Sequence, residues 1–205
     1  MPYREPLFGR LAARARIEPR VIYLSGAQPG WDQRPEWFGA RGTYRSEVLR
    51  AWQRPRPGRT PLMLARGVGA ALRRAEPRCV VSWEYGPATW QSLAWCRRRR
   101  RPLVIFSELT PWSDPELSAV QRRIHRLIAP LASGFIVASS QGTARLERLG
   151  VHPARAEVSL QSAELGSFLS IERRERSGGP VRVLSVGRLV PDKNLGMLLE
   201  AFADA

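Results

Sequence analysis

Short apolar runs alternate with amphipathic stretches through the middle of the chain. The runs predict buried strands, because they are rich in β-branched and aromatic residues and are bounded by polar turns. They cover residues 20–25, 79–83, 103–106, 135–138 and 155–160. Apolar positions at helical spacing predict helices over residues 87–98, 113–129 and 139–149. Strands that alternate with helices in this way predict an α/β protein with a doubly wound parallel sheet.

The first 75 residues have a less regular pattern. Leu7, Leu11 and Ala12 form an apolar stripe, which predicts a helix near the start of the chain. Residues 26–60 are polar and rich in Gly, Pro and Trp, so they predict one long loop. Thr60 and Pro61 then suit the cap and the first position of a helix that runs to residue 75.

A basic loop joins a predicted strand at residues 181–186 to a predicted helix from Leu195 to Phe202. The loop carries Arg188 and Lys193, and Lys193 is the one lysine in a chain with 33 Lys plus Arg residues. Lysine is a compact charge and arginine a planar fork, so the pair suits a diphosphate. Amide groups at the start of a helix can also hold an anion. An ordinary solvated turn is the alternative interpretation.

Three segments of the chain resemble glycosyltransferase family 4. VGRLVPDKNLGMLLEAF is similar to the start of the family's second domain. SGFIVASSQGTARLERLGV resembles the segment in which the first domain ends, and MPYREPLFGRLAAR resembles a Pro-Tyr-Arg segment that follows the family's first strand. The resemblance implies a GT-B fold, in which a Rossmann-like acceptor-side domain precedes a second Rossmann-like domain that binds the nucleotide sugar.

The resemblance also implies a domain division. Residues 1–171 are expected to form the acceptor-side domain without its usual first strand, and residues 172–180, ERRERSGGP, are expected to form a linker. Residues 181–205 are expected to supply the first strand and helix of an incomplete second unit. The chain then covers about half of a typical family member, and the family's acidic Glu-x7-Glu pair is expected to lie outside it.

Candidate site residues follow from both arguments. In a parallel α/β sheet, ligands bind outside the carboxyl ends of the strands. Trp83 and Glu84 follow one predicted strand, whereas Glu108 and Trp112 follow the next. Glu108 is the catalytic candidate, because it can orient an acceptor hydroxyl; a carboxylate bonded to nearby amides is the alternative. Glu84, Trp83 and Trp112 are acceptor-side candidates.

What the resemblance implies about the reaction is a retaining transfer of a sugar from a nucleoside diphosphate sugar to a lipid-linked or saccharide hydroxyl. Gly187, Arg188, Lys193 and Asn194 are then expected to bind the donor diphosphate. The two cations stabilise the departing diphosphate, so no metal and no cofactor are expected. His125 and His152 lack neighbours at metal-ligand spacing, which agrees with that expectation.

Composition limits the partners. The formal net charge of +15 suggests nucleic acid as a ligand. The cations are scattered, however, and are not interleaved with aromatic residues on one element, so no nucleic-acid ligand is expected. Residues 97–101 are all arginine and form either a solvated helix end or a contact with anionic lipid.

Two cysteines predict small buried thiols in a reducing compartment. No apolar run is long enough to cross a bilayer, and the start of the chain is unlike a signal peptide. We therefore expect a cytoplasmic protein, with peripheral contact on the inner face of the cell membrane as an option. A non-catalytic remnant, or a binding subunit that a partner chain completes, is the alternative function.

Overall fold

The structure is a computed structural model, and it describes residues 4–26, 44–56, 59–161, 165–172, 179, 182–187, 189 and 193–203. The chain divides into two compact units. The larger comprises Met1–Pro55 with Pro61–Glu164, and the smaller comprises Arg56–Thr60 with Leu165–Ala205.

The helices and strands follow one another in an α/β order. In chain order they are α1 (Glu5–Ala12), β1 (Arg20–Tyr23), β2 (Arg45–Val48), β3 (Ala51–Arg56), β4 (Arg59–Ala65), α2 (Val68–Ala75), β5 (Val80–Trp83), α3 (Pro87–Arg99), β6 (Leu103–Ser107), α4 (Ala119–Ile128), β7 (Gly134–Val137), α5 (Ser140–Arg148), β8 (Ala156–Val158), α6 (Gly166–Leu169) and α7 (Leu195–Ala203).

A four-stranded parallel sheet of order β5-β6-β7-β8 is the centre of the larger unit. Helices connect its successive strands, as parallel pairing requires. β1 and β2 form a separate parallel pair, and β3 pairs with β4. This arrangement confirms the predicted α/β class and the Rossmann-like parallel sheet.

The side chains of β6 alternate between a buried and a half-buried face. Leu103, Ile105 and Ser107 are buried, and α3 packs on β6. Gly142 of α5 lies so close to Val137 that a Cβ atom built on it would be 2.8 Å from the valine Cβ. Glycine at this position therefore lets the helix approach the sheet.

Helix caps fix where the polar segments begin and end. The Ser139 hydroxyl accepts a hydrogen bond from the amide of Gly142 at the start of α5, and Gly150 ends that region at a φ of 79°. Ser118 and Gln121 form a reciprocal capping box at the start of α4. The predicted α5 boundaries are confirmed within two residues.

The predicted helix over residues 60–75 is wrong in its first half. Residues Arg59–Ala65 form β4, and α2 begins only after Gly67. Gly67 has a φ of 89°, a left-handed conformation that ends one element before the next begins. The long loop predicted for residues 26–60 is also wrong in part, because β2, β3 and the start of β4 lie in it; residues 27–43 lie outside the described residues.

The predicted helix over residues 113–129 is two elements. A 3-10 helix spans Pro111–Glu116, and Leu117 is extended with a ψ of 138°, so α4 starts afresh after its Ser118 cap. The prediction of two buried cysteines is half right, since Cys96 is buried whereas Cys79 is exposed. Cys79 precedes β5 rather than lying within it.

In the smaller unit, the predicted helix is present and the predicted strand is not. α7 matches the apolar spacing, but residues 182–187 have no strand conformation, and residue 181 lies outside the described residues. Most of the expected linker, residues 173–178 and 180, is also outside them. The expected division into an acceptor-side domain, a linker and an incomplete second domain stays a prediction.

Candidate functional site

Glu84 lies directly after β5, and its carboxylate is held over the end of β6. Its backbone amide donates to the carbonyl of Phe106 at 2.8 Å, which continues the strand ladder. The residue then takes a φ of 50°, which turns its side chain back toward the sheet. One carboxylate oxygen accepts from the Ser107 hydroxyl at 2.7 Å, and the other accepts from the Glu108 amide at 2.6 Å.

These hydrogen bonds hold the Glu84 side chain in place within the candidate site. Burial raises the pKa of Glu84 above its ordinary value, while the two donors that it binds act in the opposite direction. Thr89 fixes the turn that carries it: its hydroxyl donates to the Glu84 carbonyl at 2.7 Å, and Thr89 itself is fully buried.

Glu108 follows β6 and presents its carboxylate more openly than Glu84 does. One oxygen forms an ion pair with Arg4 at 3.0 Å, and the Glu108 side chain is 34% exposed. In the part of the chain that the structure describes, its other oxygen accepts no hydrogen bond. Burial raises the pKa of Glu108, and the guanidinium of Arg4 opposes that increase.

Trp83 and Phe106 form an aromatic surface beneath this ion pair. They are register partners on neighbouring strands, and their ring centres are 5.1 Å apart. The guanidinium carbon of Arg4 lies 3.7 Å from the Trp83 ring and 4.4 Å from the Phe106 ring. Trp83 therefore contacts a cation of the protein in this structure.

A second polar cluster lies behind the loop after β5. Arg145 is 1% exposed and donates to Asp114 at 2.8 Å, and its Nη2 lies 2.9 Å from Nδ1 of His125. The His125 ring stacks on Tyr85 with ring centres 4.2 Å apart. Burial, followed by the charge of Arg145, lowers the pKa of His125 to about 4. This cluster ties α4 and α5 to the loop that holds Glu84.

Trp112 and the arginines at residues 97–101 are two further features predicted from the sequence. Trp112, in the 3-10 helix after β6, is 81% exposed. The arginines at residues 97–101 are exposed and run from the last turn of α3 to just before β6, hence at the amino edge of the sheet. A strand of five residues separates them from Glu108 by roughly 15 Å.

The donor-side candidates lie in the smaller unit. A Cβ atom built on Gly187 would be 3.9 Å from both Cγ and Cε of Lys193, so the loop brings these two residues together. Asn194 precedes α7 with a φ of 43°, and its side-chain amide lies 3.4 Å from the sulfur of Met197. Arg188 lies outside the described residues.

Arg4 and Arg145 were not predicted from the sequence as site residues. Arg145 looks like any solvated arginine of a helix, and its burial depends on contacts with distant segments. Arg4 belongs to the Pro-Tyr-Arg segment, which is a signal that could have identified it, but only the fold places it beside Glu108, 104 positions away in the sequence.

The described residues define an α/β domain in which polar groups gather at the carboxyl edge of a parallel sheet, a class that binds substrates at that edge. The model of Glycosyltransferase Family 4 matches residues 8–159. The chain therefore belongs to this family, which makes it a glycosyltransferase-type domain.

One similar solved structure is the crystal structure of Anabaena Alr3699/HepE in complex with UDP. It shares 21% sequence identity with this chain at a TM-score of 0.42. The match covers 58% of this chain and 31% of that chain, so the aligned part is about a third of the larger protein. A search of curated proteins found no match.

The described residues contain no group of three or more His, Cys, Asp or Glu side chains placed to hold a metal ion. None of the helices in this part of the chain has the length and apolarity that a bilayer crossing requires.

Proposed function

We propose that this chain supplies the acceptor side of a retaining glycosyltransferase, with Glu108 orienting the acceptor hydroxyl. The observation that supports this most is the carboxylate of Glu108. It lies at the sheet edge where such domains bind ligands, one oxygen is held by Arg4, and the side chain remains 34% exposed. A fixed carboxylate with an accessible oxygen can accept a hydrogen bond from the substrate hydroxyl and hold it in one orientation.

In the proposed reaction, the acceptor oxygen forms a bond with the anomeric carbon of the donor sugar as the bond from that carbon to the diphosphate oxygen breaks. The hydroxyl proton passes to the departing diphosphate, and the sugar keeps its anomeric configuration. The transition state is oxocarbenium-like, so negative charge develops on the diphosphate. Cations placed beside that charge accelerate the step most.

Gly187, Arg188, Lys193 and Asn194 are the proposed diphosphate site. The proximity of Lys193 to Gly187 supports it, because glycine lets a phosphate approach the backbone while the ammonium group supplies charge. The start of α7 adds backbone amides that favour an anion. With Arg188 and Lys193 balancing the leaving-group charge, the proposed reaction uses no metal and no cofactor.

Glu84 and the tryptophans have different proposed roles. Because both oxygens of Glu84 already accept hydrogen bonds, Glu84 positions Glu108 rather than binding the acceptor directly. Trp112, with its ring largely exposed near the end of β6, suits stacking on a saccharide or insertion at a lipid interface. Trp83 supports the site from below.

The proposed acceptor is lipid-linked or saccharide, and the proposed location is the cytoplasm or the inner face of the cell membrane. The arginines at residues 97–101 lie at the opposite edge of the sheet from Glu108. Membrane contact through them would hold the site away from the lipid. We therefore favour Trp112 as the contact with the acceptor, and treat the arginine run as a solvated helix end. We expect no nucleic acid ligand.

A binding subunit completed by a partner chain is the second candidate. Leu184, Val186 and Leu189 are 85%, 87% and 88% exposed, and apolar side chains so exposed suit burial against another chain. That function predicts a stable complex with another polypeptide and no sugar transfer by either chain alone.

Release of nucleoside diphosphate from a panel of nucleoside diphosphate sugars, with the cell's own lipid extract as acceptor, tests the proposal. We expect Arg188→Ala and Lys193→Ala in the native protein to reduce turnover by about a hundred- to a thousandfold, as removal of charge-stabilising groups does. Arg182→Ala is the matched control, since Arg182 is exposed and precedes the proposed site. Unchanged turnover in both site variants would rule out the diphosphate site.

A further inference from the structure

Arg4 joins three groups at the carboxyl edge of the sheet. It lies at the start of α1, its side chain is only 16% exposed, and it pairs with Glu108 at 3.0 Å. Its guanidinium is also stacked on Trp83 at 3.7 Å and on Phe106 at 4.4 Å. An arginine held on two aromatic faces has lost most of its rotamer freedom, so the geometry of its ion pair is restricted as well.

The backbone that carries Arg4 is fixed from its other side. The next residue, Glu5, is buried, and its carboxylate accepts hydrogen bonds from the hydroxyls of Tyr23 and Tyr44. These tyrosines belong to β1 and to the segment that leads into β2. The start of α1 is therefore anchored to the β1-β2 pair, which limits the positions that the Arg4 side chain can reach.

We infer that Arg4 is a positioning residue for the proposed transfer reaction, holding one oxygen of Glu108 so that the other faces the acceptor hydroxyl. This inference rests on the proposed function. It assigns a role in the reaction to Arg4, which lies neither at the end of a sheet strand nor in the donor loop. The role is geometric: without Arg4 the Glu108 side chain has several rotamers, and the reactive one is only a fraction of them.

Among the described residues, Arg4 is the charged group that acts directly on the titration of Glu108. Arg4 is the cation that faces its carboxylate, and Glu84 faces its backbone amide from the end of β5. Arg145 acts on Glu84 from α5. Removal of the Arg4 charge therefore removes the cation that opposes the effect of burial on Glu108, which disfavours ionisation of its carboxyl.

Two measurements on the native protein test this inference. The first follows the Glu108 carboxyl by carbon-13 NMR through a pH titration in the wild type, Arg4→Gln and Arg4→Lys. We expect Arg4→Gln to raise the pKa of Glu108 and Arg4→Lys to restore it in part. The second is kcat/KM for sugar transfer. We expect it to fall by about ten- to a hundredfold in Arg4→Gln, because misplacement of an orienting group has an effect of that size. We also expect the acidic limb of its pH profile to shift to higher pH.

Arg20→Gln is the matched control, since it removes an arginine-glutamate pair on the protein surface. We expect it to change neither the Glu108 titration nor the pH profile. A Glu108 pKa that is the same in Arg4→Gln and the wild type would overturn the inference, even if thermal unfolding showed both to be folded. A shifted pKa without any sugar transfer by the wild type would instead support the Arg4–Glu108 coupling and refute the proposed function.

Discussion

The four-stranded sheet and the segment from residue 182 to 203 have similar apolar runs, yet they bury them to very different extents. Ile105 and Val137 in the sheet are fully buried, whereas Leu184 and Val186 are 85% and 87% exposed. The sheet strands have hydrogen-bonded neighbours along their length, and residues 182–187 are not in a strand. An apolar run becomes a strand where a neighbouring strand and a helix cover it.

The two regions also differ in how their candidate site residues are held. At the sheet edge, Glu84, Glu108 and Arg4 are fixed by hydrogen bonds, an ion pair and stacking on aromatic rings. In the smaller unit, Lys193 and Asn194 are exposed beside a helix whose own side chains are largely exposed. Among the described residues, preorganisation is therefore a property of the sheet edge.

Matched truncations in the two regions give the largest expected contrast. Ile105→Ala removes fully buried methyl groups, so we expect it to lower the free energy of unfolding by about 2–5 kcal/mol. Leu184→Ala removes atoms that already contact solvent, and we expect a change within about 0.5 kcal/mol. Urea unfolding followed by circular dichroism measures both, and equal losses would contradict the contrast in burial.

The buried histidine gives a smaller, pH-dependent contrast. The pKa of His125 is lowered to about 4 in the folded protein, so the unfolded chain takes up the proton at higher pH and protonation favours unfolding. The contribution of neutral His125 to the free energy of unfolding is fully present above the ordinary pKa near 6.5 and is lost as the pH falls to about 4. We expect a loss of about 1–3 kcal/mol across that window, since each pKa unit corresponds to about 1.4 kcal/mol.

His125→Gln should remove this share of the pH dependence, and His152→Gln should not, because His152 is exposed in a turn. Chemical denaturation at pH 7 and at pH 4.5 measures the difference. If the free energy of unfolding depends on pH equally in His125→Gln and in the wild type, the cluster with Arg145 does not stabilise the neutral form of His125.

Glu84 provides a contrast in stability that is expected to be no larger than that of His125. Glu84→Ala leaves the Glu108 amide and the Ser107 hydroxyl without their acceptor, at a cost of about 1–3 kcal/mol in the free energy of unfolding. Glu84→Gln keeps an oxygen for the amide and should cost less. Thermal unfolding of the two variants tests this, and a glutamine variant as unstable as the alanine variant would contradict the hydrogen-bonded role.

The sequence predicted the sheet region well because local and global signals agree there. Residues 103–106 are apolar, are followed by a polar turn and lie beside strands of the same kind, and all of these features favour β6. The predicted helix at residues 60–75 failed because Thr60 and Pro61 suit a helix start, while pairing with β3 and the left-handed Gly67 determine the outcome.

The candidate site was predicted only as far as strand ends reveal it. Trp83, Glu84 and Glu108 follow from the rule that ligands bind beyond the carboxyl ends of parallel strands. The positions of Arg4 and Arg145 depend on contacts between distant segments, although the Pro-Tyr-Arg segment gives Arg4 a local signal that Arg145 lacks. That Glu84 is bonded to the Glu108 amide follows from its φ of 50°, which no sequence pattern indicates.

The most direct test of the central claim is the initial rate of sugar transfer by the native protein that contains this chain, with Glu108→Gln compared with Glu116→Gln. Glu116 ends the 3-10 helix that follows β6 and is exposed, so it is a matched carboxylate outside the site. We predict that Glu108→Gln slows transfer by about a hundredfold, as loss of substrate orientation does, while Glu116→Gln retains the wild-type rate. Equal rates in the Glu108 variant and the wild type would contradict the assignment of Glu108 to the acceptor hydroxyl.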